Sequence, residues 1–167
     1  MSLLWKGSLM PLMPYPPYRA AVARDWVDYN GHMNVAYYVL AFDRATDLLL
    51  DYLGLGEAYR HATNRSIFAL EAHVTYEREL RESEVFAIET RLIDADRKRL
   101  HLFHTMTKGD SAEVAATMEV MALHVDLAGP RSTPLSDEAW AKIEALLAAH
   151  RQLPTPPQLG RKIGIRR

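Results

Sequence analysis

A chain of 167 residues with 49% hydrophobic side chains is long enough for one domain with a buried core and too short for two of ordinary size. Twenty basic residues against 21 acidic ones leave a formal charge of −1, which argues against a surface that neutralises many phosphates along a nucleic acid. The absence of cysteine excludes a disulfide framework, a thiolate metal site and a thiol nucleophile.

Residues 1–17 carry Pro11, Pro14, Pro16 and Pro17, which do not fit inside a regular element, so this segment is expected to be an extended arm. Lys6, Gly7 and the same prolines interrupt any apolar run, so neither a signal peptide nor a membrane span is expected and the cytoplasm is the default location. Residues 18–150 read as a single domain and 151–167, proline-rich and basic, as a flexible tail. The domain opens with a short strand at 18–23, which delivers the chain to a polar knot, Asp28-Tyr29-Asn30-Gly31-His32-Met33-Asn34.

After the knot Val35, Tyr38, Val39, Phe42, Ala45, Leu49, Tyr52 and Leu53 recur at spacings of three and four, the period of one buried helical stripe. Asn34 is placed to cap the helix, Gly31 permits a turn that a Cβ resists, and Gly54 and Gly56 end the helix. Residues 57–65 read as polar and irregular, or as a helical turn and loop. Strand patterns follow at 66–76, 84–93, 99–107 and 114–126, separated by turns at 79–83, 94–98 and 108–111 short enough for hairpins, so a meander is expected. A final amphipathic helix over 136–150 is capped by Ser136, with Trp140, Ile143, Leu146 and Leu147 on one face. A helix with so wide an apolar stripe requires a sheet to cover it, which predicts an α+β fold in which an antiparallel sheet wraps one long central helix.

The knot places a carboxylate, Asp28, an amide, Asn30, and an imidazole, His32, within one turn of a helix start whose first N–H groups are unpaired and can hold a developing oxyanion. A base beside an electrophile holder is the beginning of an acyl-transfer site. Each residue also has a plain structural reading: Asp28 as a turn former bonding its own backbone, His32 as a histidine satisfied by one partner, and Asn30 and Asn34 as caps. Seven histidines form no HExxH motif, and His101 and His104 fall on opposite faces of a strand, so no metal is expected.

The run from Asp28 to Tyr38, followed by a helix and four strands, resembles the hotdog-fold acyl-CoA thioesterases of the 4-hydroxybenzoyl-CoA thioesterase type, with Asp28 three residues before Gly31 and Tyr38 in the helix. The Asp-x-Asn-x-His spacing is also similar to that of acyl-ACP thioesterases, and the runs WVDYNGHMN and KRLHLFH resemble the betainyl-CoA thioesterase type. The resemblance covers residues 18 to 126. It implies hydrolysis of a small acyl-CoA at a site between the subunits of a homodimer, in many members a dimer of dimers, with coenzyme A present only as part of the substrate and no separate cofactor, nucleic-acid or membrane partner.

By that resemblance Asp28 is the catalytic carboxylate, Asn30 and His32 share the active site, Glu71 is the matching strand glutamate, and the backbone at Gly31, Asn34 and Val35 polarises the carbonyl. Trp26, Tyr29, Tyr37 and Tyr38 crowd the knot and would suit a quaternary ammonium through cation–π attraction, or simply pack in the core. Arg97, Lys98 and Arg99 at a hairpin turn are candidates for the CoA phosphates, or a solvated charged turn. A hydratase or dehydratase of the same fold and a non-catalytic acyl-CoA binding module are the rival readings.

Overall fold

The apolar period after the knot becomes α1, Val35–Leu53, entered through Asn34, whose side-chain oxygen accepts the Ala36 N–H, and left through Gly54 at φ 74°. The computed structural model describes residues 13–165; most of the expected N-terminal arm, 1–12, lies outside them. The other elements are β1 (Tyr18–Ala21), α2 (Glu57–Thr63), β2 (Arg65–Tyr76), β3 (Val85–Ala95), β4 (Arg99–Lys108), β5 (Val114–Asp126), a two-residue β6 (Arg131–Ser132) and α3 (Asp137–His150). In the segment read as irregular or as a helical turn and loop, the chain forms the short helix α2, which ends on Asn64 in the left-handed region at φ 54°.

The sheet is antiparallel throughout, in the order β1-β3-β4-β5-β2, with β6 beside β5. β3, β4 and β5 form the expected meander, but β2 pairs with β5 at the far edge rather than with β3. The 77–84 link is therefore a crossover instead of a hairpin, and its position has a physical reason. Leu80 is fully buried there, its N–H donates to the Tyr38 hydroxyl and its carbonyl accepts the Met33 N–H, so the link closes the end of the sheet over the start of α1.

Alternate residues of β3, β4 and β5 (Phe86, Ile88 and Leu92; Leu100, Leu102 and Met106; Ala116, Met118, Val120 and Ala122) pack on Tyr38, Ala41, Phe42, Ala45, Leu49 and Leu53 of α1. This is the hotdog arrangement, a curled sheet round one helix. The buried stripe is rotated from the expected one. Ala41 and Leu50 are buried, whereas Val35, Val39 and Tyr52 remain 57%, 42% and 40% exposed, because the sheet covers only one side of the helix. Of the arm, Tyr15 is buried, its hydroxyl donating to the Thr90 carbonyl and its ring lying against Tyr52.

Part of the expected tail, 154–161, is bonded to the outer side of the sheet, while 162–165 are exposed. Arg91 donates to the carbonyls of Pro154 and His150, the Gly160 N–H donates to Glu119, and the Gln158 amide donates to Glu77. These bonds satisfy polar groups on strands that the helix does not reach.

Candidate functional site

The knot is a closed loop. Val27 and Met33 form an isolated antiparallel bridge, the Asp28 N–H donates to the His32 carbonyl at 3.0 Å, and the Gly31 N–H donates back to the Asp28 carbonyl at 3.0 Å. Gly31 takes φ 80° at the turn, a conformation in which a Cβ would crowd its own carbonyl. The chain then enters α1 by way of Asn34, whose N–H donates to the Trp26 carbonyl at 2.8 Å.

Asp28 is half-buried, and its Oδ1 accepts the Asn30 N–H at 2.8 Å. The turn-forming role is therefore real, and it uses one carboxylate oxygen; among the described residues the other has no hydrogen-bond partner. Asn30 is exposed, with its side chain unengaged by the described residues. His32 is half-buried, its Nε2 lying 3.5 Å from Glu79 of the crossover. Glu79 is held below the usual carboxylate range, first by the Arg81 guanidinium that donates to it and then by His32.

The oxyanion candidates separate clearly. The Gly31 and Asn34 N–H groups, expected to face substrate, are already donating to Asp28 and Trp26 carbonyls because the turn must close on itself. Val35 begins the helix, and among the described residues its N–H has no acceptor. One carboxylate oxygen and one helix-terminal donor thus stand on either side of the Gly31 turn, a pairing able to activate water and receive the charge of a tetrahedral intermediate.

The four aromatic candidates do not form a cage within one chain. Trp26 and Tyr37 stack on each other, with centroids 5.3 Å apart and planes 12° apart, and the Arg44 guanidinium lies 5.7 Å from the Trp26 ring. Tyr38 is a structural staple, buried, donating to the Arg78 carbonyl and accepting from Leu80. Tyr29 is 97% exposed.

Glu71 is not brought to Asp28 either. It sits opposite Met121 just after a bulge in β2 and shares the outer face with His73 and Thr75, away from α1. Arg97, Lys98 and Arg99 line a cleft of about 500 Å3 with Asp96, Leu123 and Ser132. That cleft stands at the opposite end of β3 from the knot, roughly 35 Å along its strand rise. Arg97 is paired with Asp137 and stacked over Trp140, and Arg99 is paired with Asp96, so Lys98 is the cation of the three with no ion pair among the described residues.

Sequence reasoning missed the 77–84 crossover and Tyr76. The crossover supplies Glu79 to His32, and Tyr76 at the end of β2 packs edge-on to Tyr38, centroids 5.3 Å apart. A short charged stretch between two strand patterns looks the same whether it turns back or crosses over, so the signal was absent. Tyr76 could have been found as the aromatic that ends an edge strand.

The profile of the thioesterase-like superfamily matches residues 22–149. The betainyl-CoA thioesterase of Pseudomonas aeruginosa is 44% identical over 148 residues, covering 89% of this chain and 93% of that protein. The L-carnitine dehydrogenase/betainyl-CoA thioesterase of Rhizobium meliloti is 34% identical over 85% of this chain, which spans 28% of that longer protein. A Staphylococcus aureus protein solved in complex with CoA superposes with a TM-score of 0.83 at 31% identity, covering 91% of this chain and 97% of the other.

Proposed function

Because the chain belongs to the thioesterase-like superfamily, we propose that it hydrolyses the thioester of a small acyl-CoA, betainyl-CoA in the first instance, at the mouth of α1. The observation that carries the reading is that one Asp28 carboxylate oxygen and the Val35 N–H, before and after the Gly31 turn, have no partner among the described residues, in a chain 44% identical to a betainyl-CoA thioesterase over 89% of its length.

In this reading Asp28 takes a proton from water as the water oxygen bonds to the acyl carbon. The charge that moves onto the carbonyl oxygen is received by the Val35 N–H and the positive end of the helix. Collapse of the intermediate breaks the carbon–sulfur bond, and the proton held by Asp28 leaves with the CoA thiolate. His32, steadied by Glu79, and Asn30 border the same turn and orient the acyl group.

The working unit is a homodimer. β2 is a sheet edge, and Phe68, Leu70 and Tyr76 along it are 47%, 58% and 48% exposed; Val35 and Val39 in the first turns of α1 are exposed as well. A paired copy covers these side chains and supplies the wall that the knot lacks in one chain. A two-fold axis at this edge reverses strand direction, so the partner's hairpin comes to the knot end of the sheet, where its copies of Arg97, Lys98 and Arg99 reach the CoA phosphates.

The test is release of free thiol from a panel of acyl-CoA thioesters that includes betainyl-CoA, with wild type and Asp28→Asn. Turnover by wild type and a loss of at least about a hundredfold in the variant are expected. A pure wild-type protein that cleaves none of the panel overturns the activity, and an Asp28→Asn protein with full turnover overturns the assignment of the base.

A further inference from the structure

The cleft between the 96–99 hairpin and Ser132 has two walls, and both are tied to a single residue of β5, His124. The hairpin wall is held through its backbone: the His124 N–H donates to the Lys98 carbonyl at 2.7 Å, and the Lys98 N–H donates to Asp96 at 2.8 Å. The other wall is β6 and the residues after it. There the Thr133 N–H donates to the His124 carbonyl at 3.0 Å, and the Thr133 carbonyl lies 2.8 Å from His124 Nδ1. Two residues on, the Leu135 N–H donates to the Arg97 carbonyl at 2.7 Å and joins the walls to each other.

The state of the ring follows from its neighbours. A carbonyl only accepts, so Nδ1 carries the proton and Nε2 is left as an acceptor. The Tyr59 hydroxyl of α2, 2.9 Å from Nε2, is therefore the donor. The ring is fully buried, and burial holds its pKa below the ordinary value, which keeps it neutral. No residue of α2 is buried, and this bond joins the helix to the strand that lines the cleft. An apolar side chain at position 124 would fill space there, but it would fix neither Thr133 nor Tyr59 in direction.

We propose that Tyr59 and His124 are positioning residues for coenzyme A: they fix the walls of this cleft, and with them the strength with which Lys98 holds the phosphates of the nucleotide end. The inference rests on the reading that the cleft takes those phosphates, and adds to it two residues that do not line the cleft. A loosened anchor must be ordered again when the ligand binds, so its cost falls on affinity. The chemistry is spared, because the knot stands at the opposite end of β3.

The experiment measures, by calorimetry on the full chain, binding of free CoA and of pantetheine, which lacks the nucleotide and its phosphates. The proteins are wild type, Lys98→Ala, Tyr59→Phe, His124→Asn and the Tyr59→Phe/His124→Asn double variant, with circular dichroism confirming each fold. Tyr59→Phe keeps the ring and removes only the hydroxyl. It should weaken CoA about threefold to tenfold, the worth of one buried hydrogen bond, and leave pantetheine unchanged. In turnover the same fold-change should appear in KM while kcat holds. The double variant should bind CoA no more weakly than His124→Asn alone, since the pair acts as one unit. Should His124→Asn fail to fold, Tyr59→Phe decides by itself. A wild type that binds CoA no more tightly than pantetheine, or a Lys98→Ala protein with unchanged affinity for CoA, overturns the phosphate reading and this inference with it. Selective loss of CoA in Lys98→Ala, beside a Tyr59→Phe protein that binds as wild type does or that loses both ligands equally, overturns the inference alone, as do multiplying effects in the double variant.

Discussion

Acid should destabilise this protein through His104, and the size of the effect follows from its surroundings. Thr46 donates its hydroxyl to the Phe42 carbonyl at 3.0 Å, so its oxygen is left to accept from His104 Nε2 at 3.2 Å; the Thr90 hydroxyl can then donate to Nδ1 at 2.9 Å. The neutral Nε2-protonated ring is thereby satisfied on both sides while fully buried against Phe42. Protonating Nδ1 would confront the Thr90 donor with another donor and place a charge in the core, and burial pushes the ring from 6.5 down to about 3. The folded pKa is depressed, so the unfolded chain binds a proton below pH 6.5 that the native chain refuses until about pH 3. Stability is therefore full above pH 6.5 and is lost as pH falls through the interval down to about 3. Between pH 8 and pH 5 the loss from this group is about 2 kcal/mol, at ~1.4 kcal/mol per unit. The assay is urea unfolding at both pH values and equal protein concentration, for wild type and His104→Gln, which keeps a donor and an acceptor but does not titrate. The variant should be less stable at pH 8 and should lose about 2 kcal/mol less than wild type on acidification. Equal losses in the two proteins would refute the reasoning. The comparison is needed because His124, also held below its ordinary value by burial, contributes to the wild-type slope.

Tyr38→Phe should cost about 1–3 kcal/mol by thermal unfolding, because the buried Leu80 N–H loses its acceptor; an unchanged melting temperature would show that the crossover is not held by this staple. Gly31→Ala should cost about 1 kcal/mol or more and lower turnover, since nothing lies within 4 Å of a Cβ there and the penalty arises from φ 80° alone. Gly31→Asn should recover part of both losses, and an alanine variant as stable and active as wild type would remove the turn's role. Leu70→Lys on the exposed β2 edge should shift sedimentation from dimer to monomer, and an unshifted dimer would place the interface elsewhere.

The start and end of α1 were legible because both rest on rules acting within a few residues: a side-chain cap at Asn34 and a left-handed glycine at Gly54. The strands were legible from their period, and the meander of β3, β4 and β5 from short turns. The knot was legible as a glycine turn that carries a carboxylate into a helix start, because that is a local pattern. Which of its donors stay unpaired was not. Gly31, Asn34 and Val35 look alike as donors until the chain closes, and only then are the first two N–H groups committed to Asp28 and Trp26 carbonyls. Tyr38 looked like a substrate aromatic because nothing local announces a bond to a backbone 42 residues away. Val35, Val39 and Tyr52 fit the helical period but are exposed, since period says which residues share a side and not how far the sheet reaches round it.

What this sequence determined alone is what depends on short range: caps, periods, the glycine turn, and the presence of an acidic group beside a helix mouth. What only the tertiary structure decided is which groups remain free to act. The partner of β2 across the sheet, the placing of Glu79 beside His32, and the bonds of the tail to Arg91 and Glu119 join residues far apart along the chain. Such contacts are selected by the competition of whole surfaces for burial, and no window of neighbouring residues contains that comparison.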